Sequence, residues 1–332
     1  MHKIPVILDM DTGVDDALAL ILALRSPELE VLGVTCAGGN VSSEHTALNT
    51  AAVVQQQKPF IQNRYSELPH VSIGFNPPTE GDATDVHGTD GMGEARDMVE
   101  FDQQRINPDA FQWFEYTIDT QPPDQVVLIT TGPLTNISNY LQECPQAVAK
   151  LKEVVSMCGV FFREGNRSPC AEFNAYSHPE VAKHLVDFSR SSQGSSAHLP
   201  LTMVGLDVTH DVRFQRQTLL EALHQSPKDV HLQFIKQATA HYMNFYNQNE
   251  GLDGCYLHDP LAVGYVIDPS FCQTGFYHVE VETQGEFTKG ATVADYRPTR
   301  IFKNRAFEIT RVCEQVDVTR FERFFQQRVL GI

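Results

Sequence analysis

Residues 6–20 read VILDMDTGVDDALAL, and their interpretation governs that of the whole chain. A β-branched run, Ile4–Asp9, leads directly into Asp15–Arg25, where Ala17, Leu18, Leu20, Ile21 and Leu24 recur at helical spacing. Leu29–Thr35 is again strand-like and stops at the breaker pair Gly38-Gly39. Strand, helix and strand in this order make a β-α-β unit, which predicts neighbouring parallel strands joined by a right-handed crossover.

Four carboxylates, Asp9, Asp11, Asp15 and Asp16, crowd the junction of that first strand and helix. Like charges this close repel, and a strand end beside a core is a costly place to keep them ionised. The helix dipole accounts for one of them, since a carboxylate in the first turn is favoured by roughly 0.3–1 kcal/mol. It does not account for four, because Asp9 and Asp11 precede the helix and add to the repulsion. A hard divalent cation resolves the conflict: the carboxylates gain its charge and become its ligands.

Outward from this unit the β-α pattern repeats. Helices are expected at Ser43–Gln56, Pro133–Leu141, Pro179–Val186, Gln215–Leu223 and Val230–Tyr246, with another starting at Pro260–Tyr265. Strands are expected at Gln125–Thr131, Glu153–Met157 and Leu201–Leu206, with shorter pieces such as His278–Glu282 between 276 and 310. The fold class expected is α/β, an open, mostly parallel central sheet flanked by helices, with 1–332 as a single domain. Residues 75–108 carry VHGTDGMG and form an excursion of the functional or disordered kind. The polar stretch Ser189–His198 is expected to be a mobile surface loop.

Composition excludes several classes. Lys+Arg 25 against Asp+Glu 42 gives a net charge of −17, which argues against nucleic acid as a partner. It leaves a neutral substrate such as a sugar or nucleoside open. No apolar run reaches the roughly 18–20 residues that cross a bilayer, and the N-terminus has no leader pattern, so a cytoplasmic protein without a membrane partner is expected. Seven cysteines without any C-x-x-C point to reduced buried thiols.

In parallel α/β sheets ligands bind beyond the carboxyl ends of the strands. Asp9 and Asp11, then Asn40, then Thr130 and Thr131, then Met157 to Asn166 each follow a strand. Two further elements are weaker alone. Asp259-Pro260 has the form of an ordinary helix cap, and Glu172-Phe173-Asn174 that of a polar loop, although Asn and Glu also suit vicinal hydroxyls.

Together these residues carry a resemblance. DMDTGVDDALAL closely resembles the N-terminal signature of the inosine–uridine nucleoside hydrolase family. AGGN at 37–40, VHGTDGM at 86–92, TTGPLTN at 130–136, GN at 165–166, AEFN at 171–174 and DGCYLHDPLAV at 253–263 agree in order and spacing. The resemblance implies calcium-dependent hydrolysis of the N-glycosidic bond of ribonucleosides. It implies one Ca²⁺ held by Asp11, Asp16, Asp259 and the backbone carbonyl of Thr131. Asp11 would be general base on a water held at the ion, and His258 the acid for the departing base. Asp15 and Asn40 would bind ribose hydroxyls, and Asp9 would support the site from behind. Asn166, Glu172 and Asn174 would grip the remaining hydroxyls, with Met157 packed against the sugar, and His87, near the base, is a second candidate for the acid. Tyr242 and Tyr246 would line the base side, and a homodimer or homotetramer is implied.

The chain departs from the family pattern after Met157, where consecutive glycines are usual and Cys158-Gly159-Val160-Phe161-Phe162 stands here. Two other readings compete. A haloacid dehalogenase-like phosphatase also places Asp-x-Asp after its first strand, but wants Thr or Val where Gly13 stands and a phosphate-binding Lys. An inactive calcium-bound ribose-binding module would keep the same residues without turnover.

Overall fold

The computed structural model of the chain describes residues 3–77, 83–191, 199–297 and 310–332. Its first unit is β1 (Ile4–Met10), helix α1 (Val14–Arg25) and β2 (Leu29–Cys36), followed by helix α2 (Ser43–Ile61). Then come β3 (His70–Ile73), β4 (Ile106–Asn107), β5 (Val127–Thr130), β6 (Glu153–Ser156) and β7 (Leu201–Met203). A small antiparallel pair, β8 (Arg213–Gln215) and β9 (Gly254–Tyr256), stands apart. The last strands are β10 (Cys272–Val281), β11 (Thr292–Asp295) and β12 (Thr310–Val316).

Among the described residues the main sheet has ten strands, in the order β11-β10-β12-β7-β6-β5-β1-β2-β3-β4. Every pairing from β12 to β4 is parallel, and β10 is antiparallel to both its neighbours. The expected open, mostly parallel α/β sheet is therefore the fold. From β1 the chain builds outward on one side through β2, β3 and β4, then returns to place β5 on the other side. The strand order thus reverses between β1 and β5, which is where open α/β sheets hold their ligands.

The pleat decides what lies above and below. Val6, Leu8 and Met10 enter one core with α1, while Ile7 joins Leu128 in the core on the opposite face. Asp9 shares the face of Ile7 and is buried there. In α1 every residue from Val14 to Leu24 is buried, so the helix is enclosed on all sides, packed against α2 and the helix His258–Ile267. That is why Asp15 and Asp16, which open it, lie out of water.

Some boundaries differ from the expectation. The strand read at Leu201–Leu206 ends at Met203, and Leu206 opens a short helix, Leu206–Thr209. Asp259 is not a helix cap: the helix begins at His258, and Leu257 occupies the cap position. In the 75–108 excursion, residues 78–82 lie outside the described residues. The remainder contains a short helix, Thr84–His87, two 3₁₀ turns and β4. Of the Ser189–His198 loop, residues 192–198 lie outside the described residues, and the helix Pro179–Ser191 takes up its start. All seven cysteines are free, and all but Cys170 are buried. No helix among the described residues is long and apolar enough to cross a membrane.

Candidate active site

The carboxyl ends of β1, β2, β5 and β6 finish level, because Asp9 pairs with Thr35 and Thr130, and Thr130 with Ser156. The segments leaving these ends surround a cavity of about 510 Å³. Asp11, Asp15, Asp16, Asn40, His87, Thr131, Met157, Asn166, Glu172, Asn174, His258 and Asp259 all line it. The structure thus brings together every site residue expected from the sequence.

The floor is acidic. One carboxylate oxygen each from Asp15, Asp16 and Asp259 lie within 4.8 Å of one another, all three residues being buried. Two enclosed helices make this contact, since α1 and the helix His258–Ile267 pack together with their acidic first turns side by side. Asp11 lines the same cavity without belonging to that trio. Its Oδ2 accepts the Asn40 N–H at 2.8 Å, and the Asn40 Nδ2 donates to the Asp11 carbonyl at 3.0 Å and to Asp16 Oδ2 at 3.2 Å. Asp16 also accepts from Gly13 N–H at 2.9 Å and from Thr131 Oγ1 at 2.7 Å, so the modest helix-start role of that aspartate is real as well.

Burial and mutual repulsion govern the charges. Asp15 and Asp16 are each pushed up to about 6, burial being the largest cause. Burial and the neighbouring aspartates hold Asp11 and Asp259 well above the carboxylate range. Among the described residues no lysine or arginine pairs with any of the four. His87 Nδ1 stands 3.9 Å from Asp15 Oδ1, but it accepts the Val14 N–H at 3.1 Å and therefore carries no proton there. A cluster of buried, mutually repelling carboxylate oxygens without a protein counter-charge is a donor set that fits a hard divalent cation.

Asp9 lies behind this floor, as the sequence suggested. Its Oδ1 accepts from Thr35 Oγ1 and from Asn136 Nδ2, both at 2.7 Å, and burial pushes its carboxyl up to about 7.

On the β5–β6 side, the Asn174 amide donates to the carbonyls of Thr131 (2.7 Å) and Met157 (3.0 Å). Glu172 caps the helix Phe173–Ser177 by accepting the N–H groups of Asn174 and Ala175, and it accepts a third from Gly159 at 2.9 Å. Asn166 sits at the exposed rim, its Oδ1 accepting from Phe173 N–H.

The opposite wall is aromatic. Tyr242 and Tyr246 lie one turn apart on the helix Val230–Glu250, and Tyr242 OH donates to Asp15 Oδ2 at 3.2 Å. His87 stacks on Tyr242 with ring centroids 4.9 Å apart. His258 Nδ1 lies 2.8 Å from Thr209 Oγ1, and its Nε2 lies 3.5 Å from Tyr246 OH. Burial pushes His87 down to about 4 and holds His258 well below the usual histidine range, so both rings are neutral at pH 7.

Sequence reasoning missed several wall residues, among them Arg163, His210, Phe245, Asn249 and Tyr256. A signal existed for two of them. Tyr242, Phe245, Tyr246 and Asn249 follow the i, i+3, i+4, i+7 spacing of one helix face, which is usually a core stripe. No lysine lines the cavity among the described residues, which removes the phosphate anchor that the phosphatase reading requires.

The model of the inosine-uridine preferring nucleoside hydrolase family matches residues 6–323. The chain belongs to this family. It is 34% identical to the inosine-uridine preferring nucleoside hydrolase of Leishmania major over 95% of this chain and 94% of that one. It is 33% identical to the pyrimidine-specific ribonucleoside hydrolase of Klebsiella pneumoniae over 88% and 89%. The solved purine-preferring ribonucleoside hydrolase of Gardnerella vaginalis superposes with a TM-score of 0.84 at 28% identity, covering 98% of each chain. The chain is accordingly a hydrolase acting on N-glycosyl bonds of nucleosides.

Proposed function

We propose that this nucleoside hydrolase, acting as a single domain, cleaves uridine- and inosine-type ribonucleosides with some breadth of base, in a Ca²⁺-dependent reaction with Asp11 as general base. The observation that carries this reading is the floor of four buried carboxylates, without a lysine or arginine partner among the described residues, set beneath a wall of histidines and tyrosines. Asp11, Asp16, Asp259 and the Thr131 carbonyl would hold the ion. That carbonyl already accepts one hydrogen bond, from Asn174, and retains a second lone pair. Asp15 is close enough to Asp16 and Asp259 to share in the ligation. When bound, the cation supplies positive charge that lowers the pKa of a neighbouring water and helps orient the ribose.

The remaining chemistry belongs to the side chains. Asp11 accepts the proton of the attacking water, a task a carboxylate in reach of that water can perform. The Asn40 N–H fixes the carboxylate in place. The Asn174 Nδ2 is committed to two carbonyls, so its Oδ1 is the atom left for a ribose hydroxyl. Glu172 accepts three backbone N–H groups and still has acceptor capacity for another hydroxyl. As the bond breaks, positive charge grows on the sugar ring, and the acidic floor stabilises it. His258 is neutral at rest, so it serves the leaving base as an N–H donor, with Thr209 and Tyr246 fixing the ring. The family resemblance further supports a cytoplasmic homodimer or homotetramer.

Incubation with uridine, cytidine, inosine and adenosine, with chromatography for free base, tests the reading. Base release from at least one nucleoside is expected, abolished by a chelator and by Asp11→Ala. Phosphate release from a phosphomonoester with every nucleoside intact would replace this reading with the phosphatase. Tight ribose binding without turnover would replace it with the inactive module.

A further inference from the structure

The segment that departs from the family pattern, from Met157 to Arg163, is tied down residue by residue. Gly159 N–H donates to Glu172, and Val160 N–H donates to Thr292 Oγ1, which in turn donates to the Val160 carbonyl at 2.7 Å. The N–H groups of Phe161 and Phe162 donate to the two carboxylate oxygens of Asp207, at 3.0 and 2.7 Å. This cradle delivers Arg163 to the cavity wall beside His210, Tyr256 and His258. The His210 ring lies 4.7 Å from Tyr256 and 5.1 Å from His258, so these groups form one aromatic corner.

Among the described residues only Nη1 of Arg163 is engaged, with the Leu206 carbonyl at 3.2 Å and Asp211 Oδ1 at 3.3 Å. Its Nε and Nη2 donate to nothing among the described residues. The Asp211 carboxylate is half-exposed, so it screens the guanidinium only partly. Among the described residues that line the cavity, Arg163 and Arg167 alone carry a permanent positive charge. Arg167 is exposed, and its guanidinium lies over the ring of Tyr176, a residue that does not line the cavity. Leu206 and Asp211, which hold Arg163, bracket Thr209 and His210, the residues that touch the His258 ring, and this sets Arg163 at the corner proposed to receive the base.

We propose that Arg163 is a specificity-determining residue for the leaving base. Its free N–H groups donate to the carbonyl or ring-nitrogen edge of a nucleobase, and its charge opposes the negative charge that the base acquires. The inference rests on the nucleosidase reading. In that reaction the C1′–N bond breaks with its electron pair going to the base nitrogen, while the water oxygen bonds to C1′ and Asp11 takes the water's proton. The base then gains a proton from solvent while Asp11 returns its proton to solvent, so that nucleoside and water become ribose and neutral base. The fixed charge of Arg163 is needed most between bond breaking and that protonation.

A pair of substrates tests this. Natural nucleosides lose a poor leaving group, whereas p-nitrophenyl riboside loses a stable phenolate that needs little help. Arg163→Gln is expected to lower kcat/KM for uridine or inosine by about 10- to 100-fold, and to leave p-nitrophenyl riboside within about threefold. Arg163→Lys, which keeps the charge and loses the fork, should fall between wild type and Gln. Competitive inhibition by ribose should be unchanged in both variants. Equal losses on both substrates, or no loss on either, overturn the proposal. A wild-type protein that releases no base from any nucleoside overturns the nucleosidase reading, and this inference falls with it.

Discussion

Asp16 is held by three donors, the Gly13 N–H, Asn40 Nδ2 and Thr131 Oγ1, yet burial and Asp15 still push its carboxyl up to about 6. A folded-state value above the ordinary 3.8 means that ionising this group costs stability. In the ion-free protein that cost is absent below about pH 4 and fully present above about pH 6. Two histidines of the cavity act in the opposite sense across the same window. His87 and His210, lowered to about 4, cost stability as the pH falls below their ordinary value of 6.5. A difference between variants separates the two effects. In a chelator, Asp16→Asn should gain on wild type as the pH rises from 4 to 6, reaching on the order of 1–3 kcal/mol by urea unfolding. With excess Ca²⁺ the order should reverse. A difference that stays flat with pH would remove this account of the cluster.

At the scale of elements, the turn after β2 matters as much as the strand ends it serves. A Cβ on Gly39 would lie 2.1 Å from Asp11 Oδ2 and 2.7 Å from Pro133 Cδ. The AGGN turn therefore needs glycine because it packs directly against the Asp11 carboxylate, while Asn40, one residue on, holds that carboxylate in place. Gly39→Ala keeps every functional group and shifts only their placement. It should lower kcat by about 10²-fold, since small misplacement of a reacting group costs that much. Normal kcat with a well-folded protein would show that Asp11 does not need its present position. Gly159 has a comparable role on the other side of the cavity. Its φ of +84° suits glycine, and it turns the chain so that its N–H meets Glu172.

Across the whole molecule, Asp259 reaches Asp15 and Asp16 from the far end of the sequence. The contact exists because two fully buried helices pack along each other beneath the cavity. An ion at their joined ends would tie them together, so its removal should weaken the whole domain. Millimolar Ca²⁺ is expected to raise Tm by about 5 °C or more over a chelator, from roughly 4 kcal/mol of linkage at a thousandfold excess over Kd. Identical melting in both would argue against an ion at this floor. Much of this architecture was legible along the chain. β1, α1, β2, α2, β5 and β6 follow directly from apolar periodicity and breakers, and the acidic motif announces a cation site. β3 and the helix Ala110–Thr120 went unread, although Phe114, Thr117 and Ile118 of that helix share one buried face. β12 and the final helix, Val318–Phe325, also went unread, since β12 takes its place only by pairing with β7 and β10. The sequence by itself determined the fold class, the family and which side chains could perform the chemistry, because those depend on local periodicity and on motifs of neighbouring residues. Only the tertiary structure decided that Asp15 joins Asp16 and Asp259, that burial pushes the two site histidines below their usual range, and that Arg163 lines the cavity with His210 and His258. Each of those depends on burial and on contacts between segments far apart in the chain, which no local pattern encodes.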